Sequence, residues 1–528
     1  MNFDTVYYNI ERGRLQKALD AQKTSKERNM KGQFATPYPL AYSIMKKAKT
    51  LCHKKTVSFI EPSIGLGVFY AAFRSVFKNT AGQALGFEID SHYYNPAREL
   101  WAKENLELRN VDFLKERTNG ERFDLLVANP PYVRHHHIDG EKKKELQKEV
   151  LQNTGIKISG LAGLYCYFLI LSEKWLADGA LSCWLIPSEF LDVNYGKAIK
   201  QYLLECVDLL CIHKFKADDV QFNDALVSST IVFFRKGKPS EKDIEFSCGE
   251  DVNTPSKKMM VERKNLTASG KWSNLYVEKT TAFSSNDDCK LGNFFTVKRG
   301  IATGDNEFFI VDTDTIEKYH IPSRFLRPVL PSPRYLKEDI ISSDNEGNVA
   351  LAQKQYLFTC NLPGDVLKEK YPKVWEYIQE GIKRGVNKGY ICSHRQLWYF
   401  CEDRKPAPFV IPYMGRGDSS KKMFRFILNK TKAITTNVYL LLYPKDNYSK
   451  SLTDTNLLIE VWKTLNGVTC EQFTINGREY GGGLHKLEPK ELLNIKVPAL
   501  SSLLLPKQCD YELSPDFVNA PPKLKLVF

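Results

Sequence analysis

Asn129-Pro130-Pro131-Tyr132 places an amide, two prolines and an aromatic ring directly after the apolar run Phe123-Asp124-Leu125-Leu126-Val127-Ala128. That run is rich in residues that form buried strands, and the prolines cannot continue a hydrogen-bonded ladder, so the loop is fixed at the strand's carboxyl end. Open parallel sheets bind their ligands at those ends. The Asn129 side-chain oxygen and the Pro130 carbonyl are two acceptors on adjacent residues, and Tyr132 offers a flat face. Together they suit a planar substrate that carries an amino group. Asn-Pro-Pro turns also occur in ordinary loops, so the reading depends on the surroundings.

Upstream, Val57-Ser58-Phe59-Ile60 reads as a short strand, Glu61-Pro62-Ser63-Ile64-Gly65-Leu66-Gly67 as a turn, and the stretch from Val68 to Phe77 as a helix. Gly65 and Gly67 let a ligand approach the backbone where the helix begins, but their spacing is not the three-glycine dinucleotide fingerprint. Glu61 ahead of the turn disfavours phosphate and favours a cation. The next strand, Ala84-Leu85-Gly86-Phe87-Glu88-Ile89-Asp90, ends in acids where α/β nucleotide sites place a carboxylate on ribose hydroxyls, and Glu88 is the better placed of the two. A third acid, Asp112, could accept from an adenine amino group while Phe113 packs on the ring. Any one of these acids reads equally as a solvated strand end. Four such sites at successive strand ends form a constellation.

In this order the motifs resemble the gamma-class (TaqI-like) DNA adenine-N6 methyltransferases of type II restriction-modification systems. Phe34-Ala35-Thr36-Pro37 resembles the family segment that touches the methionine part of S-adenosyl-L-methionine, with Thr36 and Pro37 as cofactor-binding candidates. Glu61, Ser63, Gly65 and Gly67 match the cofactor turn, Glu88 the ribose acid, and Asp112 with Phe113 the adenine pair. Asn129, Pro130 and Tyr132 match the catalytic motif without substitution, and Asn129 also borders the cofactor. Gly179 to Ser188 resembles the later strand and Pro-Ser segment. Val220-Gln221-Phe222 resembles the loop whose Phe stacks on the extruded base, although Gln221 separates the usual Val-Phe neighbours.

The resemblance implies a Rossmann-like α/β methyltransferase domain over residues 1–250, a connector over 251–288, and a mixed α+β target-recognition domain over 289–528. The implied cofactor is S-adenosylmethionine. The implied reaction is transfer to N6 of an adenine flipped out of duplex DNA and held between Tyr132 and Phe222, with no metal and no covalent enzyme intermediate. An aromatic amine is a poor nucleophile because its lone pair is delocalised; two acceptors that draw its hydrogens out of the ring plane correct this. Double-stranded DNA is the expected partner and a monomer the expected state. About 30 residues precede Phe34, too few for a cleavage domain, so a cognate restriction endonuclease is expected as a separate chain. Competing readings are methylation of RNA or of a protein glutamine, cytosine-N4 methylation (where Ser is expected at position 129), and a catalytically inert DNA-binding protein.

Composition agrees with these expectations without carrying them. The chain has 528 residues, a formal charge of +13 and 43% hydrophobic residues, enough for two sizeable cores and suited to a polyanionic partner. No apolar run reaches the length of a membrane span and the N-terminus lacks an apolar signal core, so a prokaryotic cytoplasmic location is expected. The 12 cysteines are scattered without a Cys-x-x-Cys pair and read as reduced thiols. His135-His136-His137 follows the catalytic turn, but adjacent histidines do not converge on one point. The charged run from Glu141 to Glu149 and the early stretch from Arg12 to Lys17 are candidates for phosphate contact or for plain solvated faces. In the C-terminal half, the segments Phe294–Phe309, Tyr390–Tyr399 and Lys421–Phe426 interleave basic and aromatic residues, as base and phosphate contacts require.

Overall fold

The computed structural model describes residues 3–215, 228–276, 289–345, 347–350, 354–417, 422–480 and 483–504. The chain divides into two compact units, and the first comprises residues 1–282 with two short returns, 414–423 and 477–487.

The first unit is built on a sheet of β1 (Val57–Glu61), β2 (Ala81–Phe87), β3 (Leu106–Arg109), β4 (Phe123–Ala128), β5 (Leu176–Pro187), β6 (Asp208–Lys214), β7 (Ser229–Arg235), β8 (Ile244–Cys248) and β9 (Lys257–Val261), in the order 3-2-1-4-5-7-6-8-9. β3, β2, β1, β4 and β5 run parallel, and β7 is antiparallel to both of its neighbours. This is the doubly wound α/β architecture expected of a Rossmann-like methyltransferase. β8 and β9 extend the sheet through residues 244–261, across the boundary at 250 and into the stretch read as a connector.

Alternation along each strand serves two cores. Phe59, Leu125, Val127, Leu181, Cys183 and Phe233 face one; Ile60, Leu126, Ala128, Trp184, Ile186 and Phe234 face the other. Because both faces are covered, the strands read as continuous apolar runs rather than as alternating ones. Helices α1 (Phe3–Asp20), α2 (Ser25–Lys31), α3 (Tyr38–Leu51), α4 (Val68–Phe77) and α5 (Ser91–Leu100) precede β3, whereas α6 (Gly140–Thr154), α7 (Leu164–Leu171) and α8 (Lys197–Glu205) follow β4. α3 and α4 cover the first face through Ile44, Met45, Phe69 and Phe73. α7, buried from Tyr165 to Leu171, fills the second through Phe168 and Leu169.

Strand order reverses between β1 and β4, since β2 and β3 lie to one side of β1 while β5 follows on the far side of β4. Ile60 pairs beside Leu126, which brings the ends of the two strands, Glu61 and Ala128, to the same edge of the sheet. Parallel α/β sheets form their ligand crevice at such a reversal because the loops leave in opposite directions.

The second unit is mixed α+β. A five-stranded sheet runs in the order Phe295–Arg299, Tyr439–Pro444, Phe409–Pro412, Ile427–Asn429, Ile340–Ile341, and a three-stranded sheet joins Ile310–Val311, Tyr356–Phe358 and Leu326–Pro328. The helix Pro372–Lys383 packs Val374, Tyr377 and Ile378 into a core with Phe308, Phe309 and Phe358. Among the described residues, no helix is long and apolar enough to cross a membrane.

Candidate active site

Asn129 follows β4 directly, and its amide orientation is set by its neighbours. The Nδ2 group donates to the Phe34 carbonyl at 2.9 Å and to Thr36 Oγ1 at 3.0 Å. Since a backbone carbonyl can only accept, the nitrogen must point that way. The Oδ1 acceptor is buried and has no hydrogen-bond partner among the described residues. Ser63 Oγ donates to the Asn129 carbonyl at 2.9 Å, tying the turn after β1 to the turn after β4.

The ring of Tyr132 is held by its hydroxyl, which donates to the Leu185 carbonyl at 3.0 Å, and lies 5.6 Å from the Phe34 ring and 6.4 Å from that of Tyr165. Burial pushes its hydroxyl pKa above the ordinary tyrosine value. Its backbone N–H donates to the Gly32 carbonyl at 3.2 Å. Gly32 closes α2 with φ +64°, and a Cβ there would sit 2.4 Å from Tyr132 N. Glycine is required on both counts.

A cavity of about 720 Å³ opens beside this loop. Thr36, Glu61, Ser63, Gly65, Glu88, Asp112, Phe113 and Asn129 line it, so these sequence-selected residues come together in one space. Pro37, Gly67, Pro130 and Tyr132 belong to the same loops without lining the cavity itself. Pro37 opens α3, and Gly67, at φ +78°, opens α4 where Trp101 Nε1 donates to the Leu66 carbonyl at 3.1 Å. Phe222 lies outside the described residues.

The acids differ in state. Glu61 is 1% exposed; burial pushes its carboxyl well above the usual range, and its Oε2 has no partner among the described residues. Burial also raises Glu88, to about 7, against the pull of two backbone donors, Asp90 N at 2.7 Å and Gly65 N at 3.0 Å. Asp90 is partly desolvated, yet Lys23, Gln33 and Lys31, at 2.7, 3.0 and 3.1 Å, hold it below its ordinary value. That cluster straps the linker between α1 and α2, the end of α2 and the segment after it to the start of α5.

Two cavity features were not read from the sequence. α1 contributes Arg12, Gln16 and Asp20 to the wall, and Lys142 of α6 pairs with Asp112 Oδ2 at 2.6 Å. The charged run on α6 thus places a lysine on a cavity acid, where a solvated face or phosphate contact was expected. Arg12 is buried rather than facing phosphate, whereas Arg14 is exposed and paired with Glu11. In the second unit, most aromatics of the interleaved segments are core: Phe294, Phe295, Phe308, Phe309, Tyr399, Phe424 and Phe426 are buried, whereas Tyr390 is 80% exposed. Arg299 lies 3.8 Å over the Tyr413 ring and donates to the Asn437 carbonyl, so it serves that unit's own packing.

Comparison with known proteins bears on the whole chain. Residues 70–221 match the Eco57I restriction-modification methylase family, and residues 269–514 match the C-terminal domain of the type II methyltransferase M.Eco57I. The type II methyltransferase M.AccI of Acinetobacter calcoaceticus is 28% identical over 91% of this chain and 87% of its own length. M.XamI of Xanthomonas campestris pv. amaranthicola is 26% identical over 89% and 86%. In fold, the chain is similar to the type IIL restriction-modification enzyme MmeI, solved with DNA, at a TM-score of 0.52 and 12% identity, covering 86% of this chain and 68% of that one. With two domains of Eco57I-type methylases matched one after the other and relatives aligned along most of their length, the chain belongs to the gamma-class type II DNA methyltransferases of restriction-modification systems, whose cofactor is S-adenosylmethionine.

Proposed function

We propose that this protein methylates N6 of an adenine flipped out of a specific duplex DNA sequence, and that it protects DNA from a cognate restriction endonuclease carried on a separate chain. The observation that carries this reading is the state of Asn129: its donor nitrogen is engaged by Phe34 and Thr36 while its acceptor oxygen is buried and has no partner among the described residues. An amide held this way accepts from an amino group and offers it no competing donor.

The cavity fits S-adenosylmethionine. Asp112 beside Phe113 suits an adenine edge and face, Glu88 two ribose hydroxyls, and the unpartnered Glu61 oxygen an ammonium. When bound, the cofactor supplies an electrophilic sulfonium methyl. Every other requirement falls on the chain. The Asn129 oxygen and the Pro130 carbonyl accept the two hydrogens of the target amine, which localises its lone pair. They also stabilise the positive charge that develops on nitrogen more than they stabilise the ground state. No strong base is needed before transfer. Tyr132 supplies a stacking face worth about 1–3 kcal/mol, which offsets much of the cost of flipping. Phe222 is the candidate for the opposite face, and the protein is expected to act as a monomer, one strand at a time.

Single-molecule sequencing of plasmid DNA from cells expressing the wild type or Asn129→Ala tests the proposal. One enriched motif carrying N6-methyladenine, absent with the variant, is the expected result. Unmodified DNA from cells making soluble, cofactor-binding wild type would sink it, and a cytosine mark would replace it.

A further inference from the structure

Helix α1 carries a buried charge whose partner is incomplete. Arg12 is 6% exposed, and its Nε has no hydrogen-bond partner among the described residues. Its Nη2 donates to Asn9 Oδ1 at 3.2 Å, a neutral acceptor on the same helix. A buried guanidinium left this way is costly unless something charged completes it. α1 is firmly seated: it packs on α4 and α5, Tyr8 stacks on Trp101 at 5.0 Å, and Tyr93 donates to Asp20 at 2.8 Å.

Arg12 and Glu61 line the same cavity and feel each other's charge, yet Arg12 Nε and Glu61 Oε2 both lack a partner among the described residues. A guanidinium and a carboxyl with open valences in one pocket match the two ends of a zwitterion better than they match each other. If Asp112, Phe113 and Glu88 hold the nucleoside, the cofactor's amino-acid end is left to be recognised, and it carries an ammonium and a carboxylate. Glu61 suits the first. For the second, the cavity's lysines are already engaged: Lys31 with Asp90 and Lys142 with Asp112. Among the described residues, Arg12 is the lining cation that keeps a buried donor, its Nε, without a partner.

We propose that Arg12 receives the α-carboxylate of the cofactor, so that α1 is part of the cofactor site and Arg12 with Glu61 forms a clamp for its amino-acid end. This rests on the S-adenosylmethionine reading of the cavity. A guanidinium presents paired donors that match a carboxylate, and such charge-assisted bonds are stronger than neutral ones.

Calorimetric titration of wild type, Arg12→Met and Arg12→Lys with S-adenosylmethionine, its decarboxylated form and 5′-methylthioadenosine tests this. Wild type should prefer the carboxylated ligand by about 10- to 100-fold. Arg12→Met should lose that preference while binding the decarboxylated form and methylthioadenosine within about twofold of wild type, and Arg12→Lys should restore part of it. An equal loss for all three ligands would show a structural arginine and overturn the proposal. So would a preference that survives in Arg12→Met, or a wild type with no preference. Should Arg12→Met fail to fold, the wild-type preference and its reduction in Arg12→Lys decide. Wild type that binds none of the three would instead remove the cofactor reading beneath it.

Discussion

Asn129 is described well by what its two ends touch, and this makes its substitution informative. Asn129→Ala removes the free acceptor without touching Glu88 or Asp112, so turnover should fall about 10²- to 10³-fold with cofactor affinity changed only a few-fold. Pre-steady-state methyl transfer measured beside cofactor titration separates the two; an equal loss in both would place Asn129 in binding rather than chemistry. Glu88 makes a prediction about pH. Its ordinary value is 4.5 and burial raises it to about 7, so the free folded protein retains a proton that the unfolded chain releases. Its contribution to stability is therefore fully present below about pH 4.5 and is lost progressively as pH rises through about 7. Ribose hydroxyls donate to the ionised form, so cofactor binding has the opposite slope: affinity should rise about fivefold from pH 6 to 7, about tenfold from pH 6 to 8, and level off above. Glu88→Gln should bind more weakly and lose this step. A wild-type dissociation constant that stays flat between pH 6 and 8 would count against Glu88 as the ribose acid.

Elements carry these side chains through backbone contacts that local sequence does not announce. The segment after α2 lies against the catalytic loop, with Gly32 accepting from Tyr132 N and Phe34 accepting from Asn129. Gly32→Ala adds a Cβ 2.4 Å from Tyr132 N at a positive φ. It should cost about 1–3 kcal/mol of stability and push the loop out of position. Thermal unfolding together with turnover checks this, and an unchanged melting temperature with full activity would show that the contact is dispensable. The strand ends were legible because a parallel strand buried on both faces leaves a continuous apolar run, and the polar residue that ends it must sit at the crevice. Position 32 was not: a glycine after Lys31 reads as an ordinary helix stop, and only the approach of residue 132 shows a second requirement.

At the scale of the molecule, the first unit is not a contiguous stretch. Met414–Arg416, Arg478–Tyr480 and Leu484–Lys486 form a three-stranded sheet within it, and Lys271 donates to the Gly477 carbonyl at 3.2 Å. A chain truncated after residue 288 lacks these strands and should melt lower than the full chain; equal melting of the first unit in both would show that the returns add nothing. The charge of +13 bears on DNA in solution. If about six phosphates are neutralised, affinity should drop about a thousandfold between roughly 50 and 200 mM salt. A filter-binding series measures the slope, and a slope near zero would contradict duplex DNA as the partner.

Sequence alone determined the acids, glycines and the Asn-Pro-Pro-Tyr turn, together with the strands that present them. Their order along the chain and the right-handed crossover of parallel strands leave almost no freedom in where those loops meet. Tertiary structure alone decided that α1 closes over the cavity with Arg12 buried inside, that Lys142 sits on Asp112, and that two distant segments return to the first unit. The physical reason is that periodicity and turn chemistry act over a few residues, whereas each of these depends on which surface wins a long-range packing competition. An arginine on a polar helix looks the same in sequence whether it ends in solvent or beside Glu61.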